Sequence, residues 1–175
     1  MRIHILIFLL ICTTGSGQVF ADTNNLPHPL SMLSSAQIIS GPRLSSASIA
    51  NKPLVITFFA SWCPPCRHEF EQLNALKHHS DAQNVNIIAI NVFEDDFGKK
   101  PARMQRFLGL TKPEFSVIKG NAEMRKAFGD ITRIPTLIVY GKQGGESWRF
   151  IHKRGAKKMS AELDEIVSAL QKAGN

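Results

Sequence analysis

Leu54-Val55-Ile56-Thr57-Phe58-Phe59-Ala60-Ser61-Trp62-Cys63-Pro64-Pro65-Cys66-Arg67-His68-Glu69-Phe70 is the stretch that decides the reading of this chain. Its first six residues are a nearly continuous apolar run with β-branched and aromatic side chains, the pattern of a strand buried on both faces. The run ends at two cysteines separated by two prolines. After Pro65, Phe70, Leu73 and Leu76 recur at helical spacing, and a proline fits the first turn of a helix because its missing N–H has no partner there in any case. Two cysteines so spaced at a helix start can close a disulfide without rearranging the backbone, and the helix dipole favours a thiolate on the first. Cys63 is the natural nucleophile. Cys66, one turn further in and more enclosed, would resolve a mixed disulfide by attacking the sulfur of Cys63. Two other readings compete. A structural zinc site needs two further ligands, and a second Cys-X-X-Cys is absent, leaving His68, His78 and His79 as the nearby candidates. An inert structural disulfide gains little stability from so short a loop.

Outward from this stretch the pattern alternates. Val85 to Val92 reads as a second buried strand, so strand, helix and strand imply a right-handed parallel crossover. Pro101 to Leu108 reads as a helix, Ser116-Val117-Ile118 as a short strand, and Asn121 to Phe128 as a helix closed by Gly129. Thr136 to Tyr140 is a strand, Gly141 to Gly145 a turn, and Trp148 to Ile151 its hairpin partner. A last helix carries Leu163, Ile166, Val167 and Leu170 on one stripe, with Ser160 as its expected cap. Leu30 to Ile49, broken by serines and Gly41-Pro42, reads as a small edge hairpin or irregular lead-in. The expected architecture is α/β: a mixed central sheet, part parallel and part antiparallel, flanked by helices on both faces.

The chain has 175 residues, enough for one domain. With 43% hydrophobic and 20% charged residues it is unlike a disordered chain. Its three cysteines, Cys12, Cys63 and Cys66, are too few to replace a core, so any cysteine role is local and chemical. Arg2, the apolar run Ile5 to Ile11 and the small-residue site Val19-Phe20-Ala21 read as an export signal cleaved after Ala21. A retained membrane anchor is the rival, but the run falls well short of the roughly 20 apolar residues that span a bilayer. Bulky Ile11 argues against a lipid on Cys12. Residues 22–29 form an extended leader, and the domain itself runs over 30–175. Losing residues 1–21 removes Arg2 and no acid, taking the formal charge from +7 to +6. Two basic groups, Lys99, Lys100, Arg103 and Arg106, then Arg149, Lys153, Arg154, Lys157 and Lys158, read as solvated surface. Export and the nearby acids Glu94, Asp95 and Asp96 argue against nucleic acid.

Phe58-Phe59-Ala60-Ser61-Trp62-Cys63-Pro64-Pro65-Cys66 resembles the strand, active site and helix start of the thioredoxin fold, and the tail Arg67-His68-Glu69-Phe70 is most similar to exported TlpA/ResA-like thiol-disulfide oxidoreductases. Ile134-Pro135-Thr136 resembles the fold's cis-proline loop, and Phe93 to Ser116 the helix-containing insert of this family. The resemblance covers roughly residues 30–170. It implies a thioredoxin-like fold in which Cys63 and Cys66 form the redox disulfide, with no cofactor and no metal. Only X-Pro bonds have an appreciable cis population, and a cis Pro135 would turn the Ile134 backbone toward the cysteines, where a peptide substrate can pair as an added strand. The alternative is a trans proline opening an edge strand. Trp62 is expected at the rim over the sulfurs, although core packing fits as well.

One departure stands out. Plain thioredoxins carry a buried aspartate in the strand before the cysteines, and the matching residue here is Thr57, which cannot accept the proton of Cys66. Asn91-Val92-Phe93-Glu94 is similar to a family segment with an acid near the active site. Glu94 is therefore the candidate base if the insert folds back and burial raises its pKa, the alternative being a solvated acid beside Asp95 and Asp96. The expected protein is a periplasmic or otherwise exported monomer. Its partners would be disulfide-containing exported proteins, apocytochrome c or metal-site assembly proteins among them, and a membrane thiol reductant would be its electron donor. Two further readings stay open: a Cu(I) carrier using Cys63, Cys66 and a nearby histidine, since soft thiolates suit Cu(I), and a general disulfide oxidant.

Overall fold

A computed structural model describes residues 28–174. The expected export signal and residues 22–27 of the leader lie outside the described residues. In chain order the elements are β1 (Ile38–Ser40), α1 (Ser46–Ile49), β2 (Leu54–Phe59), α2 (Pro64–Lys77), β3 (Asn86–Asn91), α3 (Pro101–Thr111), β4 (Ser116–Lys119), α4 (Ala122–Ala127), β5 (Thr136–Tyr140), β6 (Glu146–Ile151) and α5 (Leu163–Gly174). Six strands make one sheet in the order β1-β4-β3-β2-β5-β6. β2 pairs parallel with β3 and antiparallel with β5, while β3 pairs parallel with β4. The strand leading to the cysteines is thus central, and all six of its residues are buried.

Because side chains alternate along a strand, β2 feeds two cores. Val55 and Phe59 pack on one side with Phe70, Leu73 and Leu76 of α2, Phe107 of α3 and Ile166 and Leu170 of α5. Leu54, Ile56 and Phe58 pack on the other with Leu30, Leu33, Ile49, Met124 and Phe128. Under the cysteine helix, Phe70 meets Phe59, Phe107 and Phe115 at ring separations of 4.7, 4.9 and 5.2 Å. Each such buried ring contributes about 1.5–3 kcal/mol from lost apolar surface. The cysteine pair therefore sits at the start of a helix pinned by its most apolar side.

Three expectations are corrected. The lead-in is not a hairpin: β1 pairs antiparallel with β4, about eighty residues downstream in sequence and out of reach of any local pattern. Gly41 permits this docking, since with φ of 83° a Cβ there would lie 2.4 Å from the Phe115 carbonyl oxygen. Ser160 does not cap the last helix. α5 opens at Leu163, whose N–H donates to Gln72 of α2 at 3.2 Å, while Ser160 Oγ is buried without a partner. The hairpin partner of β5 begins at Glu146 rather than Trp148. Elsewhere Asn121 caps α4 by accepting from Met124 N at 2.8 Å, and Gly129, at φ of 91°, lies just beyond its end. No helix among the described residues is long and apolar enough to cross a membrane.

Candidate active site

Cys63 is the N-cap of α2, and its Sγ accepts from Cys66 N at 3.2 Å. Pro64 and Pro65, which have no N–H to offer, occupy the first turn between them. The two cysteines are joined in a disulfide with Cα atoms 5.3 Å apart. Cys63 is 4% exposed and Cys66 fully buried. This asymmetry follows from the helix: one turn inward carries Cys66 onto the packed face with Phe70 and Leu73.

Glu69 lies on that same buried face, three residues after Cys66, and is completely enclosed. It accepts a short hydrogen bond from Thr57 Oγ1 of β2 and one from Ala161 N at 3.3 Å. Loss of water raises its pKa from 4.5 to about 7, against the lowering effect of the Thr57 and Ala161 hydrogen bonds. The carboxyl missing from β2 at Thr57 is thus brought to the same place by α2, with the threonine hydroxyl holding it. The sequence carried a signal for this: Glu69 stands on the stripe formed by Cys66, Phe70 and Leu73, where a charge has no reason to lie on packing grounds.

Glu94 reaches the loop before the cysteines, but its oxygens are engaged there. It accepts from Ser61 N at 2.9 Å, from Ser61 Oγ, and from Asn91 Nδ2 at 2.7 Å. The insert is therefore fastened to the active-site loop at Ser61. Trp62 adds a second tie through Nε1, which donates to the Phe93 carbonyl at 2.7 Å, while its half-buried ring packs against the core and edge-on to Phe97. The Ile134–Pro135 peptide is cis, and Pro135 accepts from His152 N at 3.0 Å, which continues the pairing of β5 with β6 past Thr136. Ile134 is half-buried and packs against both cores.

The other candidates are placed elsewhere. His68 is exposed, with Nε2 3.3 Å from Glu162 and Nδ1 3.6 Å from Glu71, and His78 pairs with Glu114 at 3.0 Å. Among the described residues no group of three or more His, Cys, Asp or Glu side chains is placed to hold a metal ion. Of the basic groups, Arg149 is held by Glu146 and by the Phe128 carbonyl, and Lys158 pairs with Glu165.

In the reduced protein Cys63 combines a helix N-terminus with the greater access, so iodoacetamide at neutral pH is expected to modify it roughly tenfold faster than Cys66. Peptide mapping of the alkylated protein checks this, and faster labelling of Cys66 would reverse the two roles.

A Cys-X-X-Cys pair at the start of the helix after a central strand, with a cis proline opening the neighbouring strand at the same end of the sheet, defines the class of dithiol proteins with a thioredoxin-like fold. Residues 39–167 match the redoxin family, and the chain belongs to it. It is 24% identical over 105 residues to the thiol-disulfide oxidoreductase ResA of Bacillus subtilis, covering 60% of this chain and 56% of that protein. It is 31% identical over 135 residues to the thiol:disulfide interchange protein CycY of Rhizobium leguminosarum, covering 75% of this chain and 66% of the relative. A thiol:disulfide interchange protein of the thioredoxin family from Chlorobium tepidum superposes with a TM-score of 0.60 at 25% identity, over 79% of this chain and 91% of that one.

Proposed function

We propose that this chain is an exported thiol-disulfide oxidoreductase that reduces disulfides in other exported proteins. The observation that carries the reading is the Cys63–Cys66 disulfide at the N-terminus of α2 with a buried carboxyl, Glu69, one turn behind it. In the reduced enzyme the Cys63 thiolate attacks one sulfur of the substrate disulfide. The Cys63–substrate bond forms, the substrate S–S bond breaks, and the leaving thiolate takes a proton. Cys66 then gives its proton to Glu69, whose affinity for it burial has raised, and attacks Cys63 Sγ. The second substrate thiolate leaves, the Cys63–Cys66 bond closes, and two electrons have passed to the substrate.

Glu69 takes the role that the sequence alone assigned to Glu94. With its oxygens bound by Ser61 and Asn91, Glu94 instead holds the loop that positions Cys63. The Ile134 backbone, turned by the cis bond to Pro135, is where an extended substrate would pair, and Trp62 would cover the sulfurs. Export rests on the amino-terminal pattern of residues 1–21. The substrate class, apocytochrome c or metal-site assembly proteins, and the membrane thiol donor rest on the family resemblance, and trapped partners in the native compartment test them.

The direction follows from the donors at Cys63. A dithiol oxidises others strongly when its reduced form is stabilised by donors and positive charge around the nucleophilic thiolate. Here Cys66 N–H points at Cys63 Sγ, the two prolines add none, and His68 is turned to Glu162 and Glu71. The reduction potential is expected near the thioredoxin-like value of about −270 mV. Equilibration with dithiothreitol buffers, read by Trp62 fluorescence, measures it. A value above about −150 mV would replace the reductant by a general oxidant.

A further inference from the structure

The segment after β3 places a large apolar side chain, Phe97, in water against Trp62, the residue before Cys63. Phe97 is 64% exposed, the highest value among the exposed large apolar residues described. Its ring lies 4.6 Å from that of Trp62 at 75°, and Trp62 immediately precedes Cys63. The loop is fastened at several points. Trp62 Nε1 holds the Phe93 carbonyl at 2.7 Å, Glu94 holds Ser61, and Arg103 Nη2 from α3 donates to the carbonyl of Phe97 itself at 3.3 Å. The exposure of this ring is therefore built into the fold. A side chain with so much apolar surface in water gains from being covered, and one held in place loses little entropy when that happens.

What covers it follows from where it lies. Cys63 is only 4% exposed, so a polypeptide that presents a sulfur to it must lie against the rim around it. Trp62, half-buried, and Pro64, exposed, flank Cys63 in the chain, and Phe97 extends that surface through its contact with Trp62. The charges flanking Phe97 are of both signs, Asp95 and Asp96 before it and Lys99 and Lys100 after it, and all four are exposed. They give no single sign for a substrate to match, which leaves apolar contact as the discriminating term. Resting on the function proposed above, we infer that Phe97, with Trp62, forms a specificity platform that selects polypeptide disulfides bearing an aromatic or large aliphatic residue next to the reacting cysteine.

Reduced full-length protein is reacted with two peptides, each closed by one internal disulfide and identical except for Phe or Ser beside the reacting cysteine, and with oxidised glutathione. The wild type is expected to show a kcat/KM about tenfold higher for the Phe peptide, the scale of one apolar contact. Phe97→Ser should bring that ratio below about two by lowering the constant for the Phe peptide, and Phe97→Leu, which keeps an apolar side chain, should restore most of it. A wild-type ratio near one, a ratio unchanged in Phe97→Ser, or a ratio lost equally in Phe97→Leu would overturn the platform. Failure of the wild type to react with any of the three disulfides, oxidised glutathione included, would overturn the oxidoreductase reading itself and the platform with it.

Discussion

Cys66→Ser is expected to accumulate mixed disulfides on Cys63 that persist on the gel timescale, while Cys63→Ser accumulates none. In the native protein Cys66 is one helical turn from Cys63, with the two Cα atoms 5.3 Å apart. Oriented intramolecular attack of this kind corresponds to effective molarities of about 10⁵ M or more, so release by millimolar external thiol alone should be slower by more than about a thousandfold. Turnover of a disulfide substrate should fall by a similar factor in Cys66→Ser and to background in Cys63→Ser. Non-reducing electrophoresis with mass spectrometry of the trapped adducts checks the bond. An adduct on Cys66 in the Cys63→Ser protein, forming as fast as the Cys63 adduct, would invert the mechanism.

Glu69→Gln is expected to remove a pH dependence of stability amounting to about 3 kcal/mol. The carboxyl ionises at 4.5 in water and at about 7 in the fold, chiefly because burial strips its solvent. The folded state therefore keeps a proton that the unfolded chain has released, and this contribution is fully present below 4.5 and lost as pH rises through about 7. Each tenfold difference in ionisation constant is worth about 1.4 kcal/mol, which sets the size of the effect. Urea unfolding of the oxidised protein at pH 5 and pH 8 should show the wild type losing most of that amount, about 2.5 kcal/mol, relative to Glu69→Gln. A second readout concerns chemistry rather than folding. In the reduced wild type, alkylation of Cys66 should inflect near pH 7, and in Glu69→Gln that inflection should vanish. Identical pH profiles in the two proteins would return Glu69 to a purely structural place.

The buried strand, the cysteine pair at a helix start, and the strand after Pro135 could be read from sequence because each rests on a short-range rule. A continuous β-branched and aromatic run has few places to go but the middle of a sheet, and β2 is central with all six residues buried. Thr136 to Tyr140 forms a strand over the expected residues. The cysteine geometry depends on the helix repeat alone, so Cys63 fell at the cap and Cys66 on the packed face.

The pairing of β1 and the capping of α5 were beyond such rules. β1 pairs with β4 through a close approach at Gly41, and α5 takes Gln72 from α2 in place of the adjacent Ser160. Both depend on partners distant in sequence. The acid at the cysteines is the case with most consequence for function. Sequence similarity pointed to Glu94, yet that carboxylate is only half-buried and is held by Ser61 and Asn91, while Glu69 is wholly enclosed, between Thr57 of the sheet and Ala161 before α5. The sequence by itself determined which cysteines stand at the start of the helix and which strand leads to them. Only the tertiary structure decided which carboxyl is cut off from water, because burial is set by elements that converge from separate parts of the chain.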